Sequence, residues 1–192
     1  MAKPATLVLL QGNRVVHWTE QAAIVVSASL FVALCARVTL PLPFTPVPLT
    51  LQNFGVLLGG LTLGSRRGFA ALALYLIEGA AGMPVFNPTG PGGVAQLLGA
   101  TGGFLLAYPC VAGLSGWVME RGKGSFARAA AAGVLGELLL FTGGLSWLAV
   151  LTHSLAQAAR FGLYWFVFAE VIKVMMAAGV STGWRHTRKE QP

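Results

Sequence analysis

The segment Pro41-Leu-Pro-Phe-Thr-Pro-Val-Pro48 determines how the chain is organised. It carries four prolines in eight residues and no charge, and an apolar run flanks it on each side. Proline lacks the backbone N–H and collides with the preceding helical turn, so a helix cannot continue through this segment. The segment therefore predicts a structured connection between two apolar helices, at residues 21–40 and 49–64.

Four more apolar runs follow, and the six together predict transmembrane helices. A helix needs about 20 apolar residues to cross a hydrocarbon core of about 30 Å. The six runs cover residues 21–40, 49–64, 68–82, 94–119, 126–151 and 162–184. The second and third are short, so we expect loops to form part of the outer boundary. A second loop rich in proline and glycine occupies residues 83–93.

Basic residues fall almost entirely on alternate connections between these runs. They are Lys3, Arg14, Arg66, Arg67, Arg121, Lys123, Arg128, Arg185, Arg188 and Lys189. The loops at 41–48 and 83–93 carry no charge, and the connection near 152–161 carries only Arg160. This is the positive-inside pattern of a membrane protein. We therefore expect both termini in the cytoplasm, with residues 1–20 as a cytoplasmic segment, 21–184 as a six-helix membrane domain and 185–192 as a basic tail.

Composition supports an all-α integral membrane protein. Only 10% of the residues are charged, against about 25% in soluble domains. The net charge of +7 could suggest a nucleic-acid partner. Such proteins cluster their basic residues on one patch, whereas here they are spread over the ends of apolar runs. We expect a multi-pass protein of the bacterial inner membrane, surrounded by the lipid bilayer and without a nucleic-acid partner.

Five ionisable residues lie inside the predicted spans and away from their cytoplasmic ends, where each charge costs about 2.5–3.5 kcal/mol on insertion scales. They are Arg37, Glu78, Glu137, Glu170 and Lys173. Arg37 and Glu78 lie near the outer ends of their helices, where they can pair or extend toward the interface. Glu137 lies midway along the fifth run with no obvious partner. Its role stays open.

Glu170 and Lys173 lie near the middle of the sixth run and share one helical face, because they are three residues apart. One interpretation is an intrahelical ion pair that neutralises itself. The other is a ligand site, in which the carboxylate accepts N–H donors and the ammonium binds a carboxylate or carbonyl oxygen. The two interpretations are compatible, since such a pair could open when a ligand binds.

An enzymatic alternative rests on Gly113-Leu-Ser-Gly116, which fits the GxSG motif of rhomboid intramembrane proteases, with His153 as the base. The predicted topology puts Ser115 near the cytoplasmic side and His153 in an outer connection. A nucleophile and its base must approach to about 2.6–3.2 Å. We therefore expect no enzyme activity of this kind.

The stretch Pro43-Phe-Thr-Pro-Val-Pro-Leu-Thr-Leu-Gln52 resembles the BioY family, the biotin-specific S components of energy-coupling-factor (ECF) transporters. The resemblance covers roughly residues 28–173, and several motifs agree in order and spacing. Further matching segments are Val56-Leu-Leu-Gly-Gly60, Leu63-Gly64, Leu74-Tyr-Leu76, Gly82-Met-Pro-Val-Phe86, Gly92-Gly93, Gly99-Ala-Thr-Gly-Gly103 and Glu170-Val-Ile-Lys173.

The chain departs from the family pattern at three places. Glu170 stands where the family usually has Asp, and Phe168-Ala169 stands where it usually has Pro-Gly. Ala100 replaces a proline. Without the proline the sixth helix should be more continuous around the site, and the longer Glu170 side chain could alter affinity or selectivity.

The resemblance implies an S-component-like bundle that captures biotin from the outer face and delivers it inward. Glu170 could accept N–H bonds from the ureido ring, and Lys173 could bind the carboxylate or the ureido oxygen. Other side chains would enclose the rings and tail or add hydrogen bonds. The implied substrate-binding set is Glu170, Lys173, Gln52, Asn87, Gln96, Tyr164, Phe44, Val47 and Phe86. Biotin is the transported ligand, and we expect no cofactor.

The resemblance also implies a transmembrane scaffold subunit and two ATPase subunits as partners. The chain has no GxxxxGK[ST] phosphate loop, so ATP hydrolysis by that route must lie elsewhere. Small residues on the first helix permit close helix approach. Ala28, Ser29 and Ala33 are therefore candidates for the partner interface, with packing inside the chain as the alternative. Operation without partners, and an S component for a different vitamin, also stay open.

Overall fold

The computed structural model describes the backbone of residues 4–189 and the side chains of residues 18–187. Over this range the chain is helical apart from loops and one short antiparallel hairpin, in which Thr39 pairs with Thr50 and Leu40 with Leu49. The elements are α1 (Pro4–Arg37), β1 (Thr39–Leu40), β2 (Leu49–Thr50), α2 (Gln52–Leu63), α3 (Ser65–Ala80), α4 (Gly93–Leu98), α5 (Gly102–Glu120), α6 (Phe126–Thr152), α7 (Leu155–Gly162) and α8 (Val167–Lys189).

Four helices in the described part of the chain are long and apolar enough to cross a membrane. They comprise Trp18–Arg37 within α1, the whole of α5 and α6, and Val167–Thr187 within α8. Helices α2 and α3 have 12 and 16 residues, fewer than the roughly 20 that a span requires. The prediction that these two segments are short is thus met by the observed helices.

The first helix differs from its predicted bounds. It begins at Pro4 and ends at Arg37, so residues 4–20 are helical and continuous with the predicted span. The predicted basic tail is also helical as far as Lys189. Lys3 and residues 190–192 lie outside the described residues.

The predicted span at 94–119 is two helices, α4 and α5, separated at residues 99–101. A Cβ on Gly102 would collide with the carbonyl oxygen of Leu97, so only glycine permits the chain to turn back this closely. The indole Nε1 of Trp147 donates to the Gly99 carbonyl at 2.9 Å and holds the break. Apolar residues run through both helices, which is why the sequence predicted a single helix at residues 94–119.

The connection after α6 contains a helix that the sequence did not predict. His153 ends α6 with φ 54°, and Ser154 begins α7 by accepting a hydrogen bond from the backbone N–H of Gln157 at 3.3 Å. A serine in this position satisfies one of the free N–H groups of a helix start. The element is only eight residues long, too short for a periodic pattern to stand out.

Gly64 alone joins α2 to α3, as the last cap of one helix and the first of the next. Its φ of 85° and ψ of 178° favour glycine. A Cβ there would also collide with the carboxylate of Glu120, which accepts the backbone N–H of Ser65 at 2.7 Å. A single residue is therefore enough to connect the two short helices α2 and α3.

Helix α5 is central, packing against α2, α3, α4 and α6. A second, smaller apolar cluster fixes the proline-rich connection on top of the bundle. In it Val47 packs with Leu148, Ala158 and Phe166. The hydroxyl of Thr45 also donates to the carbonyl of Phe161 at 2.7 Å. The connection is therefore held against α6, α7 and the start of α8.

Of the two possibilities left open for Arg37, pairing with Glu78 is not formed in the described structure. Arg37 is exposed, and Glu78 accepts a hydrogen bond from the hydroxyl of Ser29. The acceptor on α3 is thus used by a shorter, buried neighbour on α1.

Candidate ligand-binding site

A cavity lies beneath the proline-rich connection, between α2, α5, α6 and α8. Apolar and aromatic residues form just over half of its wall, and polar residues form the rest. The lining consists of Val47, Pro48, Thr50, Gln52, Asn53, Asn87, Thr101, Phe104, Leu105, Tyr108, Leu140, Phe141, Gly162, Phe166, Glu170 and Lys173. A concave, mostly apolar site with a few placed polar groups is typical of small-molecule binding.

Glu170 and Lys173 form an ion pair in the wall of this cavity. The Nζ of Lys173 donates to Oε1 of Glu170 at 2.6 Å, and the residues are only 6% and 7% exposed. The carboxylate lies in the first turn of α8, where the helix dipole favours negative charge. Contact between the charges offsets part of the cost of burying both. Both interpretations of this pair are therefore compatible with its position.

Asn53 joins this pair to Glu137. Its Nδ2 donates to Oε2 of Glu170 at 2.7 Å and also to Oε1 of Glu137. The amide orientation follows from chemistry, because the alternative would put a carbonyl oxygen against two carboxyl acceptors. The network links α2, α6 and α8, and it gives Glu137 the partner that could not be identified from the sequence.

Gln52 borders the cavity but is held from behind. Its Nε2 donates to the hydroxyl of Tyr75, which in turn donates to the carbonyl of Val85 at 3.0 Å. Its Oε1 accepts from the hydroxyl of Thr50 at 3.3 Å. The side chain therefore ties α2 to α3 and to the loop at residues 83–93, and it fixes the position of the wall.

Comparison with known proteins identifies the family. A model of the BioY family matches residues 6–190 of the chain. The chain belongs to the BioY family. The Biotin transporter BioY of Thermotoga maritima is 36% identical over 154 residues, covering 80% of this chain and 90% of that protein. The Probable biotin transporter BioY of Pyrococcus horikoshii is 36% identical over 150 residues, covering 78% of this chain and 88% of that protein.

The fold matches a solved structure as well. The crystal structure of an S-component for biotin from an ECF-type ABC transporter aligns with a TM-score of 0.79 and 23% identity, covering 91% of this chain and 93% of that one. Together with the four long apolar helices, membership of the BioY family makes the chain an integral membrane protein.

In this BioY family member the structure brings part of the predicted ligand-binding set together. Five of the nine predicted residues line the cavity: Val47, Gln52, Asn87, Glu170 and Lys173. Asn87 is 4% exposed and accepts the hydroxyl of Thr89 at 2.7 Å through Oδ1. The asparagine thus stabilises its own turn while it forms part of the wall.

The other four predicted residues lie outside this lining. Phe44 is half exposed and lies against Trp165, with ring centroids 4.3 Å apart and ring planes tilted by 43°. Phe86 is buried edge-on against Tyr75. Gln96 is buried in a neighbouring depression, where its Oε1 accepts the Gly92 N–H at 3.2 Å. Tyr164 is 75% exposed. Sequence position alone does not fix which way a loop side chain turns.

Several wall residues escaped the sequence analysis. They are Thr50, Asn53, Thr101, Phe104, Tyr108, Phe141 and Phe166, among others. Asn53 carried a usable signal, because an amide within an apolar helix requires partners when no water is present. The aromatic residues carried none, since an apolar side chain in a membrane helix is equally suited to face lipid.

The serine and histidine considered for a protease do not meet. Ser115 is fully buried and donates to the carbonyl of Ala132 at 3.3 Å. His153 follows α6, whose axis carries it roughly 30 Å beyond Ala132 at 1.5 Å per residue. The hydroxyl and the imidazole therefore cannot form a nucleophile–base pair.

The three small residues suggested for a partner interface differ in accessibility. Ser29 is fully buried and is turned toward Glu78 on α3, so its surroundings are those of packing inside the chain. Ala28 and Ala33 are partly buried. Ala28 borders an open apolar groove between α1 and α2, together with Phe31, Leu58 and others.

Proposed function

We propose that this chain is the biotin-binding S component of an ECF transporter, which captures biotin at the outer face of the membrane and delivers it inward. The observation that carries the proposal is the buried Glu170–Lys173 pair in the wall of a cavity that the proline-rich connection borders. Relatives named biotin transporters support biotin as the cargo. Biotin is a ligand in this proposal, and no cofactor takes part.

The chemistry of the wall suits the chemistry of biotin. The ureido ring offers two N–H donors and one carbonyl, the thiophane ring is apolar, and the valerate tail ends in a carboxylate. Lys173 uses one N–H on Glu170, and an ammonium has three, so donors remain for a ligand oxygen. Glu170 has lone pairs beyond those that Lys173 and Asn53 occupy.

Polar contacts alone cannot supply tight binding. A hydrogen bond to a charged group contributes about 1.5–3 kcal/mol, whereas nanomolar affinity needs about 12 kcal/mol. The remainder must come from enclosing the rings and tail in apolar surface. Phe104, Phe141 and Phe166 provide that surface in the wall. In this account the charged pair sets specificity and the aromatic wall supplies most of the affinity.

We further propose six membrane crossings with both termini in the cytoplasm of a bacterial inner membrane. Basic side chains converge at the end of the bundle away from the proline-rich connection, which supports this orientation. The guanidinium of Arg185 donates to the carbonyl of Leu61 at 2.8 Å, and that of Arg128 to the carbonyl of Val118 at 3.2 Å. Arg121 stacks over Trp117. In this arrangement α2 and α3 cross with the help of the outer loops.

The partners in this proposal are a transmembrane scaffold subunit and two ATPase subunits. The open groove beside Ala28, on the accessible side of α1, supports a helix-packing interface there. Ala33 lies on the same helix and is also partly accessible. Ser29 is assigned to packing inside the chain. Co-purification with and without Ala28→Trp would test this surface, and equal recovery of partners would contradict it.

The cargo is tested by thermal stabilisation of the purified protein with biotin, riboflavin and thiamine, followed by calorimetric titration of any vitamin that stabilises it. We expect biotin alone to raise the unfolding temperature and to bind with one site per chain. Stabilisation by riboflavin or thiamine, without an effect of biotin, would assign the cavity to a different vitamin.

A further inference from the structure

The amide of Asn53 contains a buried acceptor that nothing in the described structure satisfies. Both N–H groups of Nδ2 are used, on Glu137 and Glu170. The Oδ1 atom has no hydrogen-bond partner, although the residue is 3% exposed. Buried carbonyl oxygens are normally paired. Because Asn53 is part of the cavity wall, a ligand is the natural source of the missing donor.

The polar groups around this amide form a complementary set. Glu170 already receives Lys173 on Oε1 and Asn53 on Oε2. The amide of Gln52 is engaged by Thr50 and Tyr75. The groups left over for a ligand therefore include an acceptor with no protein partner, Oδ1 of Asn53, and the remaining donors of Lys173. A ureido edge presents an N–H beside a carbonyl, which is the matching pattern.

We propose that Asn53 is a ligand-contacting residue whose free Oδ1 accepts one ureido N–H, and that Glu137 is the positioning residue that holds the Asn53 amide in this orientation. The inference rests on the proposed function, since it takes biotin as the ligand. It adds two residues, from α2 and α6, to the pair on α8.

Glu137 can act in this way because of where it lies. Its carboxyl group is buried, it meets Asn53 through Oε1, and its Oε2 has no partner among the described residues. With acceptors on both Glu137 and Glu170, both N–H groups of the amide are committed and the carbonyl must turn elsewhere. With Glu170 alone, one N–H would be free to turn into the cavity and compete for the ligand oxygen.

A purely structural role is the competing explanation, because the same contacts tie α2, α6 and α8 together. A cycle that varies both protein and ligand separates the two. The ligands are biotin and its two derivatives methylated on a single ureido nitrogen. The protein variant is Asn53→Leu/Glu137→Leu. The second substitution is included because Asn53→Leu alone would leave the Glu137 carboxyl group without its hydrogen-bond donor. Lys123→Met, at an exposed position, is the control.

In the wild type we expect one methylated derivative to bind about tenfold more weakly than biotin, the effect of losing one ordinary hydrogen bond. In the double variant, biotin itself should bind about tenfold more weakly, and its advantage over that derivative should disappear. An advantage that is the same in the wild type and the double variant would overturn the contact with Asn53.

The role of Glu137 has its own measurement. Glu137→Gln keeps an oxygen for the amide of Asn53, so it should retain most of the discrimination between biotin and the methylated derivative. Glu137→Leu has no acceptor and should lose several-fold of that discrimination. Equal discrimination in the two variants would overturn the positioning role.

Failure of the inference and failure of the proposed function give different results. A wild type that does not bind biotin would reject the function itself. A wild type that binds biotin and both methylated derivatives equally well would reject only the inference, and this result does not depend on whether any variant folds.

Discussion

Replacing Lys173 with methionine removes the ammonium and keeps the length of the side chain. In the wild type this group contacts Glu170 at 2.6 Å with both residues buried. In the variant, Glu170 keeps only the donor from Asn53. Removing one member of a buried ion pair typically costs about 3–5 kcal/mol, because the other charge is left uncompensated. We expect a loss of this size in the free energy of unfolding.

Biotin binding should weaken as well, for a separate reason. Losing one hydrogen bond from a charged donor costs about 1.5–3 kcal/mol, which corresponds to about a 10- to 150-fold increase in Kd. The two effects are separated by Lys173→Met/Glu170→Gln. This double variant has no stranded charge, and its amide oxygen can still accept from Asn53. Its stability should largely recover, while its biotin binding should not.

The assays are denaturant unfolding in detergent and calorimetric titration with biotin, both with Lys123→Met as the control. Lys123 is exposed, so its replacement should change neither quantity by more than a few tenths of a kcal/mol. Wild-type biotin affinity in the double variant would refute the assignment of Lys173 to the ligand. An unchanged stability in the single variant would refute the account of the buried pair.

Three further changes test the framework around the cavity. Gly64→Ala should lower the free energy of unfolding by about 1–3 kcal/mol, since an alanine at positive φ is strained. The control Gly59→Ala meets no neighbour closer than 4.0 Å and should not destabilise the protein. Equal stability of the two variants would contradict the account of the α2–α3 junction. Thr45→Val removes the hydroxyl that anchors the proline-rich connection, so biotin should dissociate several times faster in a chase with unlabelled ligand. Thr62→Val is the control, and an off-rate of Thr45→Val no faster than that of the control would argue against the anchor. Trp147→Phe loses the N–H donor that holds the break between α4 and α5 and should lower the free energy of unfolding by about 0.5–1.5 kcal/mol. A stability equal to that of the wild type would show that the break does not need this hydrogen bond.

The helical framework could largely be predicted from the sequence, because proline, glycine and apolar length act locally. The loop at residues 41–48 and the start of α6 at Phe126 agree with the prediction. The errors arose where tertiary contacts override local pattern. The break before Gly102 depends on Trp147, which is 45 positions away along the chain. The eight-residue α7 depends on a cap and on packing instead of periodicity.

From residue spacing alone, the candidate site was predictable only as far as one helix reaches, whereas Val47, Gln52 and Asn87 in the lining were implied by the family resemblance. Glu170 and Lys173 meet because residues three apart share a helical face, and this geometry needs no knowledge of the fold. The link from Asn53 to Glu137 spans 84 positions, so it required the packing of α2 on α6. Phe44 and Tyr164 lie outside the cavity lining, because the conformation of a loop sets the direction of its side chains.

The internal pairing of Lys173 with Glu170 bears on how such a site can empty. If each charge were held only by the ligand, release would leave two isolated charges at membrane depth, at a cost of several kcal/mol each. Here the two charges contact each other at 2.6 Å, so the pair does not need a ligand to compensate it. A ligand that uses Lys173 and Asn53 therefore adds to a satisfied pair, and its departure leaves that pair intact. The proposed function can therefore combine capture by the apolar wall with release that strands no charge.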